Sequence, residues 1–182
     1  TDGKYDKACD AVVEGVQSLS KLKKCKYSLF MFSDNSISCL SLKEDPGKCS
    51  LIFPGPNGLT NLHDAIGSVF TAFKSEINKE DVEILITVYT DGEENCSIKY
   101  TASKIKDLIA ASKNVTVTFV GAKTEVDQVV KEYGISKTNT LTYNVGSSSE
   151  LYKTMKLTTE LRSKFTSSVR KGNLEMKKSF YK

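Results

Sequence analysis

The run VEILITVY at 82–89 constrains this chain more than any other segment. It is apolar almost without interruption and rich in β-branched residues, and it is bounded by polar residues and by Thr90-Asp91-Gly92. Such a run predicts a central strand buried on both faces, which is the habit of parallel sheets covered by helices on either side.

The flanking sequence supplies those helices. Residues 4–22 place Tyr5, Ala8, Val12, Val16 and Leu19 at helical spacing. Thr60 or Asn61 is positioned to cap a helix carrying Leu62, Ala65, Ile66, Val69, Phe70 and Phe73 on one face. Further helices are expected at about 99–113, at 124–133 closed by Gly134, and at about 148–170, where Leu151, Met155, Leu161, Phe165 and Val169 form one stripe. Strands are expected at 25–33, 36–42, 115–120 and 139–144, the first two as a hairpin turning at Asp34-Asn35. Residues 43–58 hold all three prolines and read as a loop. The alternation predicts an α/β fold: a doubly wound, mostly parallel, Rossmann-like sheet with one antiparallel edge strand.

At 182 residues the chain fits one domain. We expect it over 1–172, followed by a polar, basic tail at 173–182. Hydrophobic residues at 39% and charged residues at 26% place it among folded proteins rather than disordered ones. No apolar run approaches the ~20 residues of a membrane span, so no membrane association is expected. The net charge of +4 is mild. The basic residues near the C-terminus come with no nucleic-acid motif, so a solvated tail is expected rather than a nucleic-acid surface. The five cysteines are odd in number and lack a C-x-x-C pair. Reduced thiols of a cytosolic protein are the simpler account, with a Cys39–Cys49 bridge as the alternative. Two glycosylation sequons, at Asn95 and Asn114, are patterns short enough to arise by chance.

In a doubly wound sheet, ligands bind beyond the carboxyl ends of the strands. Two segments fall there: Gly58–Leu62, entering a helix, and Thr90–Asn95, leaving the strongest strand. A Thr hydroxyl and an Asp carboxylate on neighbouring loops supply two of the roughly six oxygens that Mg²⁺ requires. Gly92 lets the chain turn away sharply after Asp91. Read in isolation, Thr60 is a helix cap and Asp91 a turn residue.

The stretches T-N-L-x-D-A-I-G at Thr60–Gly67 and Y-T-D-G-E-E-N at Tyr89–Asn95, in this order of elements, resemble a von Willebrand factor A (vWA) domain. The downstream run ENCSIKYTASKIKDLI, the strand ending Phe119-Val120-Gly121-Ala122 and the helix end Tyr133-Gly134-Ile135 resemble the small intracellular members found in bacteria and their phages. The resemblance covers residues 4 to about 170. It implies a cytoplasmic protein that binds a protein partner through a metal-ion-dependent adhesion site. Thr60 and Asp91 are the implied metal residues and Mg²⁺ (or Mn²⁺ or Ca²⁺) the implied ion, with a partner carboxylate completing the coordination.

One part of the pattern is displaced. The resemblance implies a first, central strand ending in Asp-x-Ser-x-Ser before the first helix, where only Thr1-Asp2-Gly3 stand. The letters recur at Asp34-Asn35-Ser36-Ile37-Ser38, but in the hairpin, after the first helix, and are read there as a chance match. The first strand is therefore expected from an upstream segment or, failing that, from another chain. If that metal loop is truly missing, no metal is expected.

Asp64 is expected to be structural, Asn61 to orient a water or cap the helix, Glu93 and Glu94 to face solvent, and His63 to have no metal role. No Ser-His-Asp order, P-loop or G-x-G-x-x-G is present, so catalysis is not expected. Two alternatives stand: a metal-free scaffold of the same fold, and a Mg²⁺-dependent phosphoryl-transfer enzyme. The latter would have to draw its base or nucleophile from Glu93, Glu94 or Cys96.

Overall fold

The computed structural model describes residues 4–34, 36–55, 58–90, 93–144, 146–173 and 175–181. Helix α1 (Lys4–Ser18) leads to the hairpin β1 (Tyr27–Ser33) and β2 (Ser36–Glu44). After the proline-containing loop come α2 (Leu62–Ala72), β3 (Ile84–Tyr89), α3 (Ala102–Ala111) and β4 (Val115–Gly121). Next come α4 (Lys123–Tyr133), β5 (Thr140–Thr142) and α5 (Ser148–Arg170), followed by a short C-terminal segment.

Strands β3, β4 and β5 form a parallel sheet in that order, with Ile84 opposite Val115 and Phe119 opposite Thr140. Successive residues of β4 point to opposite faces. Val117 and Phe119 pack with Leu62, Ile66 and Phe70 of α2, Ile105 of α3 and Val126 of α4. Val120 points the other way, toward Ala11 of α1 and Leu151 and Met155 of α5. Helices thus cover both faces, as the alternation of elements predicts. No helix among the described residues is long and apolar enough to cross a membrane.

Local capping residues fix the helix ends, and only the Gly134 stop stood among the expectations. Thr101 caps α3 by accepting from the Lys104 N–H, and Ser147 caps α5 by accepting from the Glu150 N–H. Gly134 closes α4 at φ +70°. Asn114, half of a sequon match, is buried. Its amide donates to the carbonyls of Glu76, Lys79 and Val82, and its oxygen accepts from the Asn78 N–H, so it clamps the connection between α2 and β3. All five cysteines are free thiols, Cys39 and Cys49 included.

Two expectations change. The hairpin β1–β2 is antiparallel as anticipated, but it forms a sheet of its own. Strand β3 therefore lies at the edge of its sheet, and β4 occupies the centre. The burial agrees: β4 is buried along nearly its whole length, whereas Leu85, Ile86, Thr87 and Tyr89 of β3 are only half covered. The apolar run at 82–89 encodes coverage on both sides, and among the described residues a strand partner stands on one side only.

The segment after Gly172, expected to be a solvated tail, folds back onto the body. Phe180 is fully buried, edge-on to Tyr181 at 4.9 Å and tilted against Phe165 at 5.8 Å. Asn139 holds it by donating to the Lys177 carbonyl and accepting from the Phe180 N–H, and the Tyr181 N–H donates to the Thr138 carbonyl. Lys177 forms an ion pair with Glu83. Four apolar residues in a basic stretch, at 174, 176, 180 and 181, carry too weak a period to announce this docking.

Candidate functional site

Three segments meet at the carboxyl ends of the strands: the β1–β2 turn at Asp34, the stretch 58–62 before α2, and the stretch 93–100 after β3. Asp34 adopts φ +46° and exchanges two bonds with Leu59. Its N–H donates to the Leu59 carbonyl at 2.7 Å, and its carboxylate accepts from the Leu59 N–H. Gly58, at φ +75°, allows this approach, because a Cβ there would meet the Asp34 carboxylate.

Thr60 is tied to the next segment by a reciprocal pair. Its N–H donates to the Asn95 side-chain oxygen at 2.9 Å, and its carbonyl accepts from the Asn95 N–H at 3.0 Å. Both backbone polar groups of Thr60 are thereby engaged, which fixes the residue and leaves its hydroxyl as the group it can offer. Asp91 and Gly92 lie outside the described residues, as does Asn35. The structure thus places Thr60 beside the stretch that follows Asp91 and does not describe Asp91 itself.

Glu94, expected to face solvent, is instead turned inward. Its carboxylate accepts from the N–H groups of His63, Cys96 and Ser97 at 2.7–3.0 Å and from the Ser97 hydroxyl at 2.7 Å. It therefore caps α2 from outside the helix. Asn61, at the cap position, makes no capping bond and lies buried with its amide directed at the Ser36 carbonyl. A carboxylate at a helix N-terminus satisfies free N–H groups and meets the positive end of the helix dipole. Burial pushes the Glu94 carboxyl up, but its bonds from His63 and Ser97 outweigh that and hold it below the usual range.

Asp64 mirrors this arrangement from the helix side. It is buried, and it accepts from the N–H groups of Ile98, Lys99 and Tyr100 at 2.8–3.0 Å, while its own N–H donates to the Ser97 hydroxyl. Burial raises its pKa, and the three N–H bonds lower it further than burial raises it, so the carboxyl is held below its ordinary value. The expectation of a structural Asp64 matches this geometry. His63 packs edge-on to Tyr133 at 5.6 Å and lies 3.8 Å from Glu94. Cys96 donates its thiol to the Asp34 carbonyl at 3.0 Å. Its pKa is raised by desolvation, and the carboxylates of Glu94, Asp34 and Asp64 add to the rise, so it stays a thiol.

The edge is consequently a set of loops pinned by three carboxylates to backbone N–H groups, and from it Leu59 and Ile98 stand out into solvent, Ile98 at 82% exposure. Among the described residues no three His, Cys, Asp or Glu side chains gather as a metal site would require.

No family model matches the chain, and no curated protein matches it. Among solved structures it is similar to the ArnB paralog VWA2 from Sulfolobus acidocaldarius, with a TM-score of 0.59 and 22% sequence identity. The match covers 87% of this chain and 40% of that one, so the chain spans less than half the length of that structure. The α/β layering, the parallel sheet β3–β4–β5, the antiparallel hairpin and this likeness together identify the fold as vWA-like.

Proposed function

We propose that the chain is a protein-interaction module that meets its partner at the carboxyl edge, through a divalent cation held in part by Thr60 and Asp91. The observation that carries this reading is the clamped edge itself: rigid loops at the ligand-binding end of an α/β sheet, with Leu59 and Ile98 presented outward. The carboxylates of Asp34, Asp64 and Glu94 are spent on backbone N–H groups. The cation would take the Thr60 hydroxyl, the Asp91 carboxylate, water and a carboxylate of the partner, a set suited to Mg²⁺, which keeps several waters when bound. Enzymatic phosphoryl transfer fits less well, because Glu94 is consumed as a cap and Cys96 is held as a thiol, which leaves the exposed Glu93 to supply the base.

The engagement of Asp34, Asp64 and Glu94 also favours a second reading, a metal-free scaffold of the same fold. Thermal melts with Mg²⁺ and with a chelator separate the two. A cation at 100-fold its Kd stabilises by about 2.7 kcal/mol, which for a chain of this size raises Tm by about 5–10 °C. Asp91→Ala should abolish that rise and Thr60→Ala should reduce it. A wild-type Tm indifferent to Mg²⁺ and chelator would leave the scaffold reading in its place.

A further inference from the structure

Beside the first half of α2, a cavity of about 450 Å³ opens on the helix-facing side of the β1–β2 hairpin, within the roughly 300–1,000 Å³ of ligand pockets. Phe30 of β1 and Ile37 and Cys39 of β2 line one wall. Cys39 stands opposite Phe30 and Ile37 opposite Phe32, and Phe32 packs against the cluster that contains Leu62 and Ile66. These side chains therefore share the face turned to α2. Asn61 and Asp64 line the wall at the start of α2, and the exposed Ile98 and Lys99 stand at the mouth.

Asn61 shows what the cavity lacks. It is only 2% exposed. Its side-chain nitrogen donates to the Ser36 carbonyl at 3.4 Å, and its side-chain oxygen has no hydrogen-bond partner. Turning the amide over would set that oxygen against the Ser36 carbonyl, so the orientation is fixed. Asn61 also holds the cap position of α2 without capping it, because Glu94 has taken that role. Buried acceptors are nearly always answered by a donor, and this one is not. Asp64, the other acceptor in the wall, already takes the N–H groups of Ile98, Lys99 and Tyr100. An occupant that fits brings one donor for Asn61 and an apolar body for Phe30, Ile37 and Cys39. Tyrosine and tryptophan side chains combine the two.

The form of the occupant follows from β2. Among the described residues β2 pairs with β1 alone, so its outer row of N–H and C=O groups is open. Edge strands are commonly guarded by charge or proline, and the stretch SISCLSL at 36–42 carries neither. A strand laid against this edge turns every second side chain toward the α2 face, where the cavity lies. Lys99 has no ion pair among the described residues, so a carboxylate on the occupant complements it. A second copy of β2 brings no acid within 36–42 and no tyrosine or tryptophan.

We propose that an extended segment of a partner protein adds to the free edge of β2, seats a tyrosine or tryptophan in this cavity with its O–H or N–H on the Asn61 oxygen, and sets a carboxylate beside Lys99. This contact needs no cation and stands apart from the reading built on Thr60 and Asp91.

The test pans a display library of random heptapeptides on the 182-residue chain and measures the selected peptides by fluorescence anisotropy. They should carry a tyrosine or tryptophan with an acid two residues away, on the same face. Exchanging the aromatic donor for phenylalanine should weaken binding about tenfold and change nothing with Asn61→Leu. Lys99→Glu, at an exposed position, should weaken binding about fivefold and regain it when the peptide's acid is replaced by lysine. N-methylation of alternate peptide amides should abolish binding in one frame and spare it in the other. Affinity should be equal in Mg²⁺ and in chelator. A library that yields no such peptides, indifference of the wild type to the phenylalanine exchange, or tolerance of N-methylation in both frames would overturn the proposal. Binding that needs Mg²⁺ and is lost with Asp91→Ala would overturn it too, while supporting the cation reading. So would a concentration-dependent dimer with amide shifts at Ile37 and Cys39, which would assign the edge to a second copy.

Discussion

At Gly58 the backbone takes φ +75°, and a Cβ built there would collide with the Asp34 carboxylate oxygens. Gly58→Ala should therefore cost about 1–3 kcal/mol in urea denaturation. Asp34→Ala in the same background should recover part of that loss, because the two residues share one contact. Asp64 and Glu94 give the edge a pH dependence. Their folded pKa values are depressed, so their contribution is complete above the unfolded values of about 3.9 and 4.3 and fades as pH falls through the lower folded values. Amide NMR shifts of Ile98, Lys99 and Tyr100 should stay constant down to about pH 4 and move below it. Asp64→Asn should shift them at neutral pH. A Thr followed by an Asp-Gly turn can be read from a sequence, because each is a local cue. Glu94 could not be read in this way. Its role is a contact with an N–H distant in sequence, that of His63, and in one dimension it looks like any other charge in a polar loop.

At the scale of elements, periodicity and punctuation carried most of the information. The stripe at Leu151, Met155 and Phe165 is core, as its spacing implies, and Gly134 ends α4 where the sequence placed the stop. The ends were less legible. α1 stops at Ser18 and passes into a 3-10 turn, and the strand expected over 139–144 narrows to Thr140–Thr142. In both cases the apolar pattern runs on past the last ladder or helical bond, because the side chains continue to pack after the backbone has turned. Asn61 shows the opposite failure: its residue type suits a cap, yet the capping is done from across the edge by Glu94. Glu94→Gln keeps the shape and removes the charge. It should loosen the first turn of α2, seen as faster amide exchange at His63, with a cost of about 1–2 kcal/mol.

For the whole molecule, the docked C-terminal segment and the divided sheet matter most. Phe180 closes the body beneath Phe165, and Phe180→Ala should cost about 3–5 kcal/mol in chemical denaturation, a large share of a typical net stability of about 5–15 kcal/mol. The layering was legible because helices and strands alternate. The division of the sheet was legible only in part. The sequence places the strands, but which edges face each other is a property of the assembled body. The free edge of β3, bordered by half-covered Leu85 and Ile86, has a consequence for folding time. The parallel pairing of β3 with β4 waits for the α3 crossover between them to be made, a closure across some distance in sequence that is slow to form. Until that happens, the open edge is a template for strands of other chains. The interval before closure is therefore when a newly made copy is most open to pairing with another, and shielding that edge until the body has assembled favours the monomer.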